Sequence, residues 1–222
     1  MLCSKCSEVV KPVVAIDIDG TMGDYHAHFL NFAVEYFGEP ATDWWGYSGH
    51  GKFSEWFMQA FDCDYRSWQD CKLAYRQGGM KRSMPPFTSI VQFAREAALY
   101  RRCEIWVTTT RPFLRLDNID PDTREWLRRS NVHYSGLIYD DDKYEALAER
   151  IDKDRIIAVY DDLPEMYDSA EDVFGEDVPF LVSTQWNRNV YKPHMGGAQL
   201  AMHHLVSNLN KWRSVHDEAA VA

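Results

Sequence analysis

The sequence predicts an α/β protein: a doubly wound parallel sheet with a small helical segment inserted after its first strand. Three observations carry this. Short β-branched runs alternate with helical stretches from residue 12 onward, as a sheet covered by helices on both faces requires. A long aromatic-rich segment breaks that alternation after the first strand. Finally, carboxylates gather at the C-terminal ends of predicted strands, the edge at which open α/β sheets bind ligands. A chain of 222 residues suits one large domain or a domain with one insertion, and at that size roughly 70% of the extended surface can be buried.

The elements follow in order. Residues 1–11 read as an N-terminal tail whose Cys3 and Cys6 form a CxxC; half a zinc site is the alternative, but no second pair follows at finger spacing. Val13-Val14-Ala15-Ile16-Asp17-Ile18 is the first strand, ended by the turn Asp19-Gly20-Thr21. Residues 23–84 form the helical insertion. Within it, residues 24–37 place Tyr25, Phe29, Phe32 and Phe37 at helical spacing, Gly38-Glu39-Pro40 stops them, and helices are expected near 53–61 and 64–77. Gly78-Gly79 and Pro85-Pro86 close the segment.

The core comprises 12–22 and 85–190. Thr88 or Ser89 caps a helix to about Arg101, and Cys103 to Thr109 is the second strand. Asp120-Pro121, an N-cap followed by proline, opens a helix to about Ser130. Strand 136–139, helix 143–150, strand 155–160, a helix from Pro164 to Phe174 and strand 178–183 complete the alternation. Residues 191–222 hold a last helix, about 196–212, and a tail.

The net charge is −10, which argues against wrapping long nucleic acid or docking on an anionic membrane. Five scattered cysteines suggest reduced thiols, and no apolar run reaches membrane-spanning length, so a soluble cytoplasmic protein is expected; oligomeric state is left open. The charge is uneven. Residues 112–177 hold 19 acidic and 8 basic side chains, a net −11, so the remainder is close to neutral. Aromatics are uneven too: residues 23–79 hold 15 of the 31, Trp44, Trp45, Trp56 and Trp68 among them. These rings either pack a small core of their own or stack on a planar ligand such as a base.

The chemistry concentrates at three strand ends. The first carries Asp17-Ile18-Asp19-Gly20-Thr21, the second Thr108-Thr109-Thr110-Arg111, and strand 155–160 runs into Asp161-Asp162, with Lys143 opening the helix before it. Carboxylates so close together repel unless a hard divalent cation neutralises them, which makes a magnesium site the economical explanation. These four elements, in this order, resemble the haloacid dehalogenase superfamily and its phosphatase branch over roughly residues 12–190.

The resemblance implies roles. Asp17 would be the nucleophile that forms an aspartyl-phosphate, and Asp19 the acid and base that serves the leaving oxygen and then water. Thr109 would contact the phosphoryl oxygens and Lys143 offset their charge. Asp17, the backbone carbonyl of Asp19, Asp161 and Asp162 would hold Mg²⁺. Thr109 is chosen because Glu104 to Thr108 then form the strand before it; Thr110 stands as the alternative. The acidic run Asp140-Asp141-Asp142 is either a solvated helix N-terminus or a rim that excludes substrates.

Within the superfamily the chain looks most like the 5′(3′)-deoxyribonucleotidases, on Asp17 to Tyr25, Phe29-Leu30, Trp44-Trp45 and Tyr139 to Lys143. In that family aromatics sandwich the base, and the matching positions are Tyr25 and Trp44 or Trp45, with core packing the other reading. Thr109-Thr110-Arg111-Pro112 departs from that family's Thr-Ser-Pro and resembles the phosphatase domain of phage-type polynucleotide kinase/3′-phosphatases. Arg111 would then grip a second phosphate or a sugar-phosphate backbone, or else make a plain salt bridge at a helix start. No P-loop is present, so kinase activity is not supported. A small-molecule nucleotide is thus the expected substrate; a polynucleotide 3′ end or another phosphorylated metabolite is the alternative. A non-catalytic module is disfavoured by the intact Asp17 and Asp19.

Overall fold

The computed structural model describes residues 10–41, 53–112 and 115–219. Six strands form one sheet: β1 (Val13–Ile16), β2 (Glu104–Thr109), β3 (Gly136–Tyr139), β4 (Ile156–Asp161), β5 (Pro179–Val182) and β6 (Met195–Gly196). All pairings are parallel, in the order β3-β2-β1-β4-β5-β6. The chain builds outward from β1 to β3 and then returns to lay β4 on the other side of β1. That reversal leaves a crevice beyond the carboxyl ends of β1 and β4, where a doubly wound sheet takes its ligand.

β1 shows why a central strand is apolar throughout. Val13 and Ala15 face one layer and Val14 and Ile16 the other, and all four are fully buried. On one side α5 (Thr88–Leu99), α6 (Ile119–Arg129) and α9 (Ala198–Ala219) supply Phe93, Trp126 and Leu205 to the main core. On the other, α7 (Lys143–Ala148) and α8 (Pro164–Phe174) pack Tyr144, Leu147 and Ala170 on the sheet.

Between β1 and α5 lie α1 (Tyr25–Phe37), α2 (Phe53–Ala60), α3 (Tyr65–Gln77) and the short α4 (Met80–Ser83). They enclose an apolar cluster of their own, where Phe29 stacks on Phe57 at 5.3 Å and meets Tyr75 edge-on at 5.2 Å. Much of the aromatic bias is therefore packing. Asp24 and Asp64 start α1 and α3 by accepting from the backbone N–H of Ala27 and Ser67, three residues on. Entry and exit of the insertion lie side by side. Gly23 bridges Pro86 in antiparallel fashion, and Asp24 N donates to Pro85 O at 2.8 Å. A Cβ on Gly23 would lie 2.1 Å from the Met84 methyl, so a side chain there would have to displace Met84.

Several boundaries differ from those the sequence predicts. β1 ends at Ile16, because the next residues turn to place Asp17 and Asp19. α6 starts at Ile119 with Asn118 at the cap position, and Asp120 instead bonds Arg124 and the Tyr139 hydroxyl. Neither Thr88 nor Ser89 caps α5; Phe87 holds that position with no side-chain bond. β4 includes Asp161, and the helix from Lys143 ends at Ala148. The core also runs past residue 190: β6 pairs with β5, and Ala201, Leu205 and Leu209 of α9 are buried in the main cluster. The CxxC of Cys3 and Cys6 lies outside the described residues, among which no helix is long and apolar enough to cross a membrane.

His204 on α9 sits against Tyr160, with its Nε2 2.9 Å from Asp177 O. Burial pushes this imidazole down to about 4. The unfolded chain, with an ordinary pKa near 6.5, then binds the proton first, so stability present above pH 6.5 is lost as pH falls toward 4. Comparing wild type with His204→Gln by urea unfolding at pH 7.5 and 4.5 should show about 2–3 kcal/mol more acid-induced loss in the wild type. Equal losses would contradict this account.

Candidate active site

The site lies in the crevice between β1 and β4. Asp17 follows β1, its N–H still bonded to Tyr160 O at 3.0 Å, and Asp161 ends β4. Asp17, Asp161 and Asp162 are all at least 95% buried, and each offers an oxygen within 4.8 Å of the others. Lys143, the first residue of α7, reaches back between them, with its Nζ 2.6 Å from Asp17 Oδ1 and 2.6 Å from Asp161 Oδ2. Burial alone would lower this ammonium, but Asp161 and Asp17 outweigh it and hold it charged above its usual range.

One lysine does not balance three acids. Burial raises the Asp17 carboxyl to about 7, with Lys143 pulling it down and Asp161 pushing it up. Asp162 is raised well above the usual range by burial and by Asp161 and Asp17. Neutralising this surplus with a hard, oxygen-seeking divalent cation suits the donor set, and three carboxylates at this spacing fit one.

Asp19 has the opposite balance. Its carboxylate accepts a bidentate pair from Arg111, Nη2 to Oδ1 at 2.6 Å and Nε to Oδ2 at 3.0 Å, and also an ion pair from Lys81 of α4 at 2.5 Å. Burial would raise its pKa, yet the two cations hold it well below the carboxylate range. Burial in turn pushes Lys81 down to about 7, Asp19 opposing the shift. Asp19 therefore turns away from the carboxylate cluster, leaving its backbone carbonyl as the donor the sequence nominates toward a metal.

The other nominated residues divide. Thr109 closes β2, is buried, and its Oγ1 accepts from Arg111 N at 3.4 Å; Thr110 is exposed on the wall of the adjoining cleft. Arg111 makes a salt bridge, but to Asp19 and not at a helix start, with Nη1 donating to Thr123 at 2.8 Å. The ring of Tyr25 is already engaged: Phe29 stacks on it at 5.6 Å and Lys81 Nζ lies 3.9 Å from its centroid. Trp44 and Trp45 fall outside the described residues.

Four supporting groups are new to the site. Thr21 donates to Asp162 at 2.9 Å, and Tyr144 to Asp161 at 2.5 Å. Asn187 donates to the backbone oxygens of Asp162 and Val182, both at 2.8 Å, which ties the loop after β5 to the metal edge. Lys81 is the fourth. Thr21 belongs to the first motif and Tyr144 adjoins Lys143, so both were within reach of sequence reasoning. Lys81 and Asn187, far along the chain from Asp19 and Asp162, carry no local signal.

Gly20 closes the turn between the two key aspartates at φ +99°, and a Cβ there would lie 2.2 Å from Asp162 Oδ2. Gly20→Ala should lower stability by roughly 1–3 kcal/mol in thermal or urea unfolding and weaken Mg²⁺ binding at least tenfold by calorimetry. Wild-type values for both would show that the turn tolerates a side chain.

A scan against protein-family models gives no match, and neither does a search of curated proteins. Solved structures do match. A haloacid dehalogenase-like hydrolase from Streptococcus pneumoniae superposes with a TM-score of 0.60 at 12% identity, covering 89% of this chain and 99% of that one. A HAD family hydrolase from Deinococcus radiodurans, with bound phosphate and sodium, gives 0.58 at 11%, covering 91% and 98%. A protein from Bacillus subtilis described as a HAD-hydrolase bound to magnesium gives 0.57 at 11%, covering 88% and 98%. With its six parallel strands and the crevice beside β1, the chain has the haloacid dehalogenase-like fold.

Proposed function

We propose that this protein is a Mg²⁺-dependent phosphomonoesterase that hydrolyses nucleoside monophosphates, deoxynucleotides among them, through an aspartyl-phosphate. One observation carries the reading: Asp17, at the end of the central strand, is gripped by Lys143 inside a cluster of three buried carboxylates. Buried carboxylates whose protonation is strongly perturbed by burial and by one another gather at functional sites. Neighbours of the same fold that hold phosphate or magnesium support it.

This chain's residues divide the work as follows. An oxygen of Asp17 attacks phosphorus and the bond to the leaving oxygen breaks, while Asp19 gives that oxygen its proton. Water then attacks the aspartyl-phosphate, its proton passing to Asp19, and Asp17 is released with inorganic phosphate. Lys143 orients Asp17 and offsets charge on the phosphoryl oxygens, and Thr109 is nominated to bond them. Asp17, Asp161, Asp162 and the Asp19 carbonyl would hold Mg²⁺, which when bound neutralises the acids and polarises the phosphoryl group. In the present state Asp19 is held ionised by Arg111 and Lys81. It becomes an acid only when these cations find another anion, and the substrate supplies one.

The nucleotide assignment rests on the residues shared with deoxyribonucleotidases and on a cleft of about 520 Å³ between α3 and the core, which has the volume of a small-molecule site. Cys63, Cys71 and Cys103 are free thiols, in keeping with a reducing cytoplasm.

Asp17→Asn should cut kcat for thymidine 5′-monophosphate by at least a thousandfold and abolish the hydroxylamine-trappable phosphoenzyme; retained turnover would end the covalent mechanism. Asp19→Asn should lower kcat/KM, which reports the first phosphoryl transfer alone, by roughly 10²–10⁴ on alkyl phosphates but far less on p-nitrophenyl phosphate, whose leaving group needs no proton. Equal losses on both would remove Asp19 from the acid's role.

A further inference from the structure

The cleft beside the active site carries a charge pattern that the transferred phosphoryl group does not use. It opens next to Thr110 and Arg111. Lys72 and Arg76 of α3 line its insertion side, Arg115 joins them from the segment before α6, and Asp140, Asp141 and Asp142 form the facing wall. The two walls differ in how their charge is met. The three aspartates are exposed, where water and salt screen them. Lys72 and Arg76 are only partly exposed, and among the described residues neither they nor Arg115 make an ion pair.

Among the described residues, the Trp68 ring, 4.3 Å from the Lys72 Nζ, gives that ammonium a cation–π contact. Lys72 and Arg76 also stand four residues apart on one helix, where like charges repel. Burial and Arg76 together push the Lys72 ammonium down to about 8. The bias begins in the sequence: residues 65–83 hold Arg66, Lys72, Arg76, Lys81 and Arg82 against Asp70 alone, inside a chain whose net charge is −10. Part-buried, mutually repelling cations at the mouth of an anion-processing site are satisfied by an anion.

We propose that Lys72, Arg76 and Arg115 form an anion subsite that takes a second phosphate of the substrate while its first phosphate meets Asp17. The inference deepens the phosphomonoesterase reading above and rests on it. It names the substrate class as a nucleotide carrying two phosphates joined through its sugar. A free nucleoside bisphosphate and a phosphorylated polynucleotide end share this chemistry.

Three substrates separate the cases: thymidine 5′-monophosphate, thymidine 3′,5′-bisphosphate and a 3′-phosphorylated dithymidylate, assayed with Mg²⁺ at low and high salt. Wild type should show at least tenfold higher kcat/KM for one of the two-phosphate substrates than for the monophosphate, a ratio that shrinks with salt. Which one wins identifies the source of the second phosphate. Lys72→Gln/Arg76→Gln should lower that kcat/KM at least ten times more than it lowers the value for the monophosphate. No wild-type preference, or equal losses on all substrates, overturns the subsite. Calorimetry on Asp17→Asn tests it without turnover: the preferred two-phosphate ligand should bind at least tenfold tighter than the monophosphate, and the advantage should vanish with Lys72→Gln/Arg76→Gln. If wild type hydrolyses none of the three yet this binding difference holds, the phosphatase reading fails and the subsite stands; equal binding removes the subsite.

Discussion

Three buried carboxylates share a single lysine at the point where the sheet reverses direction, and the site's architecture follows from that imbalance. A charge surplus of this kind survives folding only where the surrounding structure over-determines it. Here the fixing is thorough. Asp17 is still tied into the β1–β4 ladder, and Asp161 is held by Lys143, Tyr144 and the N–H of Leu163. Asp162 is held by Thr21 through its side chain and by Asn187 through its backbone. With each member held in place, the surplus is relieved by a proton, as the raised Asp17 and Asp162 carboxyls show, or by a cation that takes the protons' place.

The same reasoning explains why Asp19, two residues away, is treated differently. Two cations serve this one acid, and they come from different parts of the molecule: Arg111 follows β2 of the core, Lys81 belongs to the insertion. Asp19 is the point at which the insertion is electrostatically joined to the sheet. Its other ties include the Gly23–Pro86 crossing, the bond from Trp126 Nε1 to Met84 O, the pair between Arg82 and Asp122 and the bond from the Asn118 amide to Arg76 O. The insertion's position and the freedom of the acid are therefore coupled, because any movement of α4 away from the sheet takes Lys81 with it.

The sequence revealed most about what is local and periodic. β1, β2 and β4 were legible because strands buried on both faces are built on β-branched and aromatic runs, and the motif residues were legible because strand ends place them by construction. Lys143 was legible for the same reason, as the first residue of its helix. What escaped depends on contacts distant in sequence. Lys81 lies 62 residues from Asp19, and Asn187 lies 25 from Asp162. β6 is two residues long, too short for any period, and exists because β5 offers an open edge. The cap of α6 moved from Asp120 to Asn118 because Asp120 found Arg124 and Tyr139 instead, a tertiary preference that local propensity does not express.

The distribution of charge also takes on a different meaning once folded. An acidic stretch over residues 112–177 argues, as a linear fact, against any polyanion near the site. Folding divides that stretch. Asp161 and Lys143 turn inward, where the acidity is drawn toward a cation, while Asp140 to Asp142 remain in water at the cleft rim, where it is screened. The wall opposite comes from α3, a different part of the chain with the opposite bias. A net charge per segment thus sums groups that face different dielectrics and different neighbours, and exposed charges are screened far more than buried or partly buried ones. At this cleft Lys72 and Arg76 are partly buried, so their charge is screened less than that of the exposed Asp140, Asp141 and Asp142 opposite them.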